Sequence, residues 1–241
     1  MTMTLGRRVR RFAISAMTTL TVTGIAVVSV AAADGPARAG AAAAARAPQA
    51  AGAPQAARAP QAAGTTTVGY SCFVTFQGGS TTVAFSLDFG GSAPAQVAPL
   101  RPFHVVIDSP SITPSPLHNI WVQTVRVVFP LPPNAQLLGH WLSGGAGLAG
   151  SRTTLRAADG GLVLESSGPF PASVPFQLPS VNLLLRAGRS GPVTVSQGGR
   201  ILSEPSFSWV HADPNGGTLR PFDCFVPAPV PLTSTAVTPG G

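Results

Sequence analysis

Residues 81–89 read TTVAFSLDF, and the alternation in these nine residues decides the fold. Val83, Phe85, Leu87 and Phe89 fall on one side of an extended chain, and Thr82, Ala84, Ser86 and Asp88 fall on the other. This is the two-residue period of a strand with one dry face and one wet face. From Thr65 onward the same short apolar/polar alternation recurs, broken by Gly, Pro, Asn and Asp. Strands are predicted at 68–76, 81–89, 103–108, 119–129, 152–157, 162–166, 193–197, 206–212 and 218–226. No segment of ten or more residues shows a 3.6-residue period free of Pro and Gly. Many short strands without helices define an all-β fold, a sandwich or barrel of antiparallel sheets. The stretch 65–241 is long enough for one core.

The two cysteines lie in two of these strands. Cys72 shares a face with Tyr70, Val74 and Phe76, and Cys224 shares one with Phe222 and Val226, so both thiols point inward. Two readings follow: a disulfide, or two buried thiols acting as small hydrophobes. In an exported chain the oxidising surroundings favour the bridge. It would close a loop that the chain-entropy model values at roughly 5 kcal/mol.

Export is what the N-terminus implies. Basic residues (Arg7, Arg8, Arg10, Arg11) precede an apolar run from Phe12 to Ala33, followed by A-x-A spacing ending at Ala33 and again at Ala39. Residues 1–39 are therefore expected to be a signal peptide cleaved after Ala33 or Ala39. The competing reading is an uncleaved anchor, since about twenty apolar residues span a bilayer. The leader contains no Cys for a lipobox, and its paired arginines match a twin-arginine signal poorly. Residues 40–64 contain RAPQAA, GAPQAA and RAPQAA in succession. Proline interrupts every possible helix there and nothing apolar enough to bury recurs, so a disordered Ala/Pro/Gln linker is expected. Residues 65–241 form the folded domain.

The chain has 15 basic residues, all Arg, and a formal net charge of +7. Arg in place of Lys, with abundant Ala, Gly and Pro, is the habit of a GC-rich, actinobacterial type of genome. Seven of the Arg lie in the leader and linker. From residue 65 the remaining eight oppose seven carboxylates. A phosphate-binding surface needs clustered cations, so nucleic acid is excluded as a partner.

GYSCFVTFQGG with the following TTVAFSLDF, the segment SGPFPASVPFQLPSVNLLL, and the ending GTLRPFDCFVPAPVPLTSTAVT carry a likeness. Over residues 66–238 the chain resembles a group of secreted actinobacterial proteins that share a domain of unknown function. Members open with a Tyr-x-Cys strand and close with a Cys strand, a Pro-containing turn and a last strand. The closing turn here, FVPAPVPL, has no glycine. The resemblance implies an immunoglobulin-like antiparallel β-sandwich with a disulfide between a first and a late strand, Cys72 to Cys224. It brings no catalytic residues.

The residues offer little chemistry. There is no G-x-S-x-G, and GRSGP at 188–192 misses that elbow by one residue. The four His (104, 118, 140, 211) are scattered. His211 and Asp213 stand at i, i+2 on one strand face, but two ligands do not make a metal site; Asp213 bonding its own backbone in the Asp-Pro-Asn-Gly-Gly turn is the simpler reading. Only Glu165 and Glu204 are glutamates, and neither sits in a context for glycoside hydrolysis. No cofactor or metal is expected. Among the tryptophans, Trp209 is in phase with Phe207, and Trp121 with Val125, Val127 and Phe129, which assigns both to the core. Trp141, in LLGHWLSGGAG beside a glycine-rich turn, is either a core residue or an exposed platform on which a sugar ring could stack.

The expectation is thus a secreted or envelope-associated, monomeric β-sandwich with no catalysis of its own and a structural or binding role. Cell-envelope polysaccharide and another envelope protein are its candidate partners, and no membrane span remains after signal cleavage. The alternative is a secreted hydrolase with a Ser/His/acid or carboxylate site assembled in space. A deep cleft gathering a His and an acid would favour the hydrolase, and a flat aromatic or apolar patch the binding module.

Overall fold

A computed structural model of the chain describes residues 61–76, 78–158, 160–198, 201–226 and 228–238. The expected signal peptide, and the linker up to residue 60, lie outside the described residues. All described strands belong to one compact unit, Pro54–Gly241. They are β1 (Gln61–Phe76), β2 (Gly79–Pro94), β3 (Gln96–Val97), β4 (Pro102–Asp108), β5 (Ser111–Ile112), β6 (Trp121–Pro130), β7 (Ala135–Ser143) and β8 (Thr153–Ala158). There follow β9 (Gly161–Ser166), β10 (Phe170–Pro171), β11 (Phe176–Gln177), β12 (Ser180–Ala187), β13 (Val193–Gln197), β14 (Phe207–Ala212), β15 (Leu219–Phe225) and β16 (Val230–Val237). The described residues contain no helix. β1 starts at Gln61, so residues 61–64 of the expected linker are paired strand, opposite Gly91–Pro94.

The long β1–β2 hairpin organises everything else. Toward its tip, β1 pairs with β15 (Ser71–Val74 opposite Phe222–Phe225), and the sheet continues through β14, β6 and β9 to β8. Toward its base, β2 pairs with β4 (Gly90–Ser92 opposite Val106–Asp108) and continues through β12 to β7. The sheet folds across the hairpin until its two edge strands, β7 and β8, touch. A smaller sheet, β13–β16–β3, covers the fold: β16 lies against β1 and β2, and β13 against β6. All pairings are antiparallel except the short β16–β3 contact. The result is an all-β, sandwich-like body around one apolar cluster drawn from both arms of the sheet, including Val68, Phe89, Ile107, Val127, Leu164, Leu185 and Phe207.

The alternation at 81–89 emerges as read. Leu87 and Phe89 are buried, Val83 and Phe85 half-buried, and Thr82, Ala84, Ser86 and Asp88 exposed. Cys72 and Cys224 are fully buried, directly opposite one another across β1 and β15, and joined by a disulfide of 2.05 Å. In immunoglobulin domains the bridge spans two sheets. Here both cysteines belong to neighbouring strands of the same sheet.

Trp121 departs from its expected core position. Thr124 adopts φ of 50° where the pairing of β14 with β6 slips between Ser208 and Val210. Such a bulge moves the alternation by one residue. Val122 is therefore the fully buried residue, and Trp121 is left half-buried, out of phase with Val125 and Val127.

Strands β7, β12 and β16 lie outside those that alternation in the sequence predicts. β12 reads SVNLLLRA: Val181, Leu183, Leu185 and Ala187 are buried, while Leu184 on the outer face is half-buried and Arg186 exposed, so it is the apolar Leu184 on the outer face that hides the alternation in the sequence. β7 contains Gly139 and pairs with β12 through a bulge at Leu184/Leu185. β16 carries Pro231 where its own pairing shifts; only the family resemblance implied it.

Candidate functional site

On β1, Val68, Tyr70 and Cys72 are buried, but Val74 is half-buried and Phe76 is 42% exposed. On β2 the same fading runs from Phe89 and Leu87 to Phe85 and Val83. The inner apolar row thus continues past the point where other strands cover it, and at the hairpin tip it forms one wall of a groove of about 530 Å³. Trp209 and Phe222, cross-strand partners on β14 and β15, supply the floor, stacked at 4.9 Å and 22°. Phe85 stands edge-on to both, at 5.7 and 5.6 Å. The Trp209 indole nitrogen is buried and has no acceptor among the described residues. Deeper in the same aromatic cluster, burial lifts the Tyr70 hydroxyl far above the usual tyrosine range. That hydroxyl lies near the Gln197 side chain without a hydrogen bond that meets ordinary geometry.

The other wall is the loop 113–119. Ser115 shapes it, accepting the Leu117 amide on Oγ at 3.3 Å and the Asn119 amide and side-chain Nδ2 on its carbonyl at 3.0 and 2.9 Å. Leu117 is left 80% exposed at the mouth. His211 fastens the loop to the hairpin: Nδ1 faces the carbonyl of His118 at 3.2 Å and Nε2 that of Thr75 at 3.3 Å. Asp213 is buried, accepting the Asn215 amide on Oδ1 at 2.8 Å and Arg220 Nε on Oδ2 at 3.3 Å.

His118, His211, Asp213 and Ser115 therefore share one groove, the gathering that would favour a hydrolase. Their bonding is of another kind. A general base needs one ring nitrogen turned to the nucleophile and the other to an orienting acid. Both nitrogens of His211 are instead directed at main-chain carbonyls. Asp213 closes its own turn, as read from the sequence, and neutralises Arg220. Ser115 serves its own loop.

Trp141 lies on the outer face of β4, β12 and β7, 46% exposed. Its indole is parallel to the His104 imidazole, with centroids 5.0 Å apart and planes 4° apart. Trp141 is in register with Asn182, and His104 with Leu184, so the stack crosses β12 diagonally. Gly139 opposite Leu184 leaves room beside that side chain. Polar groups share the face: Asn182 donates to Ser143 Oγ at 2.8 Å, Ser180 to Asp108 Oδ1 at 2.8 Å, and Arg186 lies 3.4 Å from Gln136 Oε1. His104 Nε2 has no hydrogen-bond partner among the described residues. The sequence singled out Trp141 but not His104, because the pairing depends on β7 and β12, neither of which was predicted as a strand.

Glu165 lies 3.9 Å from Arg156 across β8 and β9. Among the described residues no group of three or more His, Cys, Asp or Glu is arranged to hold a metal ion.

Fold and sites together define a disulfide-closed, all-β domain with an exposed, stacked Trp141–His104 pair and an apolar groove. No family model matches the chain, and no curated protein matches it. Among solved structures, the crystal structure of a protein from Corynebacterium diphtheriae described as a putative membrane anchored protein superposes with a TM-score of 0.46 and 16% identity. The match covers 74% of this chain and 38% of that one, so this chain spans well under half of that protein's length.

Proposed function

We propose that the chain is an exported, envelope-associated module without catalytic activity, and that it holds envelope polysaccharide on the outer face of β4, β12 and β7. The observation that carries this is the Trp141 ring, exposed yet held parallel to His104. The C–H faces of a sugar ring are apolar and stack on an aromatic plane, and a ring already fixed by its neighbour loses little freedom on binding. Ser143, Gln136 and Arg186, all exposed on the same face, offer partners for sugar hydroxyls. Export is supported by the basic-then-apolar leader and by a disulfide of the kind that persists outside the cytosol. The absence of catalysis is supported by the structural bonds that occupy His211 and Asp213.

The test is retention of the purified chain on insoluble cell-wall polysaccharide, compared with Trp141→Ala and His104→Ala. Wild type is expected to be retained, and Trp141→Ala to pass through while keeping its urea-unfolding midpoint. Equal retention of wild type and Trp141→Ala, or release of reducing ends from the polysaccharide, would overturn the proposal.

A further inference from the structure

The groove at the hairpin tip is separate from the Trp141 face and supports an inference that does not rest on it. We infer that this groove binds one uncharged lipid, with its hydrocarbon chain along the Trp209–Phe222–Phe85 floor and a hydroxyl-bearing head at the rim.

Three observations select that occupant. The volume, about 530 Å³, falls in the range of small-molecule sites, which run from about 300 to 1,000 Å³, and the lining is concave rather than flat. A macromolecular interface would instead need a broad surface. The apolar lining also continues outward through Phe76 and Leu117, both exposed. An apolar track that runs from a buried floor to the surface suits a ligand longer than the cavity is deep, as a hydrocarbon chain is. Each methylene of such a chain removed from water tightens binding by roughly fourfold.

Charge selects the head. Among the described residues lining the groove there is no Arg, and the one carboxylate, Asp213, is buried against Arg220. An anionic head would find no permanent cation, since the basic side chains on the lining are His118 and His211, the latter directed at main-chain carbonyls through both ring nitrogens. A cationic head would have to compete with Arg220 for Asp213. The lining offers Thr81, Thr113, Ser115 and Asn215, which are uncharged donors and acceptors suited to hydroxyl or ester oxygens. The floor adds the buried Trp209 N–H that has no acceptor.

The experiment uses the full exported chain and the uncharged fluorescent probe N-phenyl-1-naphthylamine. Saturable one-site binding is expected, and the probe should be displaced by 1-monolauroylglycerol at a concentration at least about tenfold below that needed for laurate, which has the same chain with an anionic head. Thr81→Trp, which fills the groove from an exposed strand position, and Leu117→Asp, which charges its mouth, should each weaken the probe by about tenfold or more. Trp141→Ala should leave probe binding unchanged while abolishing polysaccharide retention, so the two proposals fail separately. Leu117 is on an exposed loop, so its variant stays informative if Thr81→Trp misfolds. Absent saturable binding, displacement by laurate as readily as by the glyceride, or wild-type affinity in Leu117→Asp would each overturn the inference.

Discussion

Replacing Cys72 and Cys224 together by alanine removes one covalent link and two buried sulfur atoms, and these two costs can be separated. The link joins residues 152 apart, nearly the whole domain. The chain-entropy relation, with a fixed part and a part growing as 1.5R ln n, gives about 5 kcal/mol at 25 °C for a loop of that size. Residual structure in the unfolded chain lowers the figure, and about 2–4 kcal/mol is the usual yield of a native bridge. The folded state loses little, because β1 remains paired with both β15 and β2 around the former bridge. Each vacated sulfur site leaves only a small void in a closely packed core. Reduced wild type keeps both side chains and loses only the link, so it isolates the entropic part. The assay is urea unfolding followed by far-ultraviolet circular dichroism, on the oxidised, reduced and alanine forms. The reduced form should retain the β spectrum, unfold with a larger m-value because its unfolded chain is more expanded, and be less stable by about 2–5 kcal/mol. The alanine form should be less stable again by a smaller step. A difference below about 1 kcal/mol between oxidised and reduced protein would refute the reasoning. So would uptake of two alkylating groups by the unfolded protein without reductant, since no free cysteine should exist.

Gly91→Ala should destabilise the domain by about 1–3 kcal/mol, because a Cβ there would meet the Leu232 carbonyl oxygen and sit 2.8 Å from Thr233 Cγ2, forcing β16 off the hairpin. Its partner in the same pair, Gly64, has nothing within 4 Å of a Cβ, so Gly64→Ala in the same urea assay should change stability little. Burial raises the Asp223 carboxyl above its ordinary range, so the folded state binds that proton more tightly than the unfolded state. The contribution is complete below the unfolded-state value and is lost as pH rises through the folded-state value, so stability falls across that window. Asp223→Asn should remove this fall. A variant whose stability drops as steeply as wild type across the window, measured by urea midpoints, would show that Asp223 is not its source.

What could be read in the sequence was whatever alternation encodes. At 81–89 each residue in turn met core or solvent, and the burial of β2 repeats the pattern residue by residue. Cys72 and Cys224 were legible for the same reason, since each sat in phase with apolar neighbours on a strand. β12 was not legible, because Leu184 on its partly open outer face joins Leu183 and Leu185 into one short apolar run that hides the two-residue period. Trp121 was misplaced because the bulge at Thr124 inserts a residue into the count, and a threonine with positive φ has no signature in one sequence.

The groove fails to show in the sequence for a deeper reason. Val74, Phe76, Phe85 and Val83 are the same kinds of residue, at the same spacing, as Cys72, Tyr70, Leu87 and Phe89, which sit a step away in the buried interior. What distinguishes the two sets is only where the covering strands stop. The hairpin runs past the arms of the sheet that fold over it, and the row of inward side chains runs with it. Loop 113–119, tied to β14 by the bond from the Ile120 amide to the Ala212 carbonyl at 2.9 Å and to β1 through His211, closes one side but not the other. The apolar row left uncovered there is a property of strand length and covering rather than of residue type. A change that lengthened the cover would therefore erase the groove without altering a single residue of its floor.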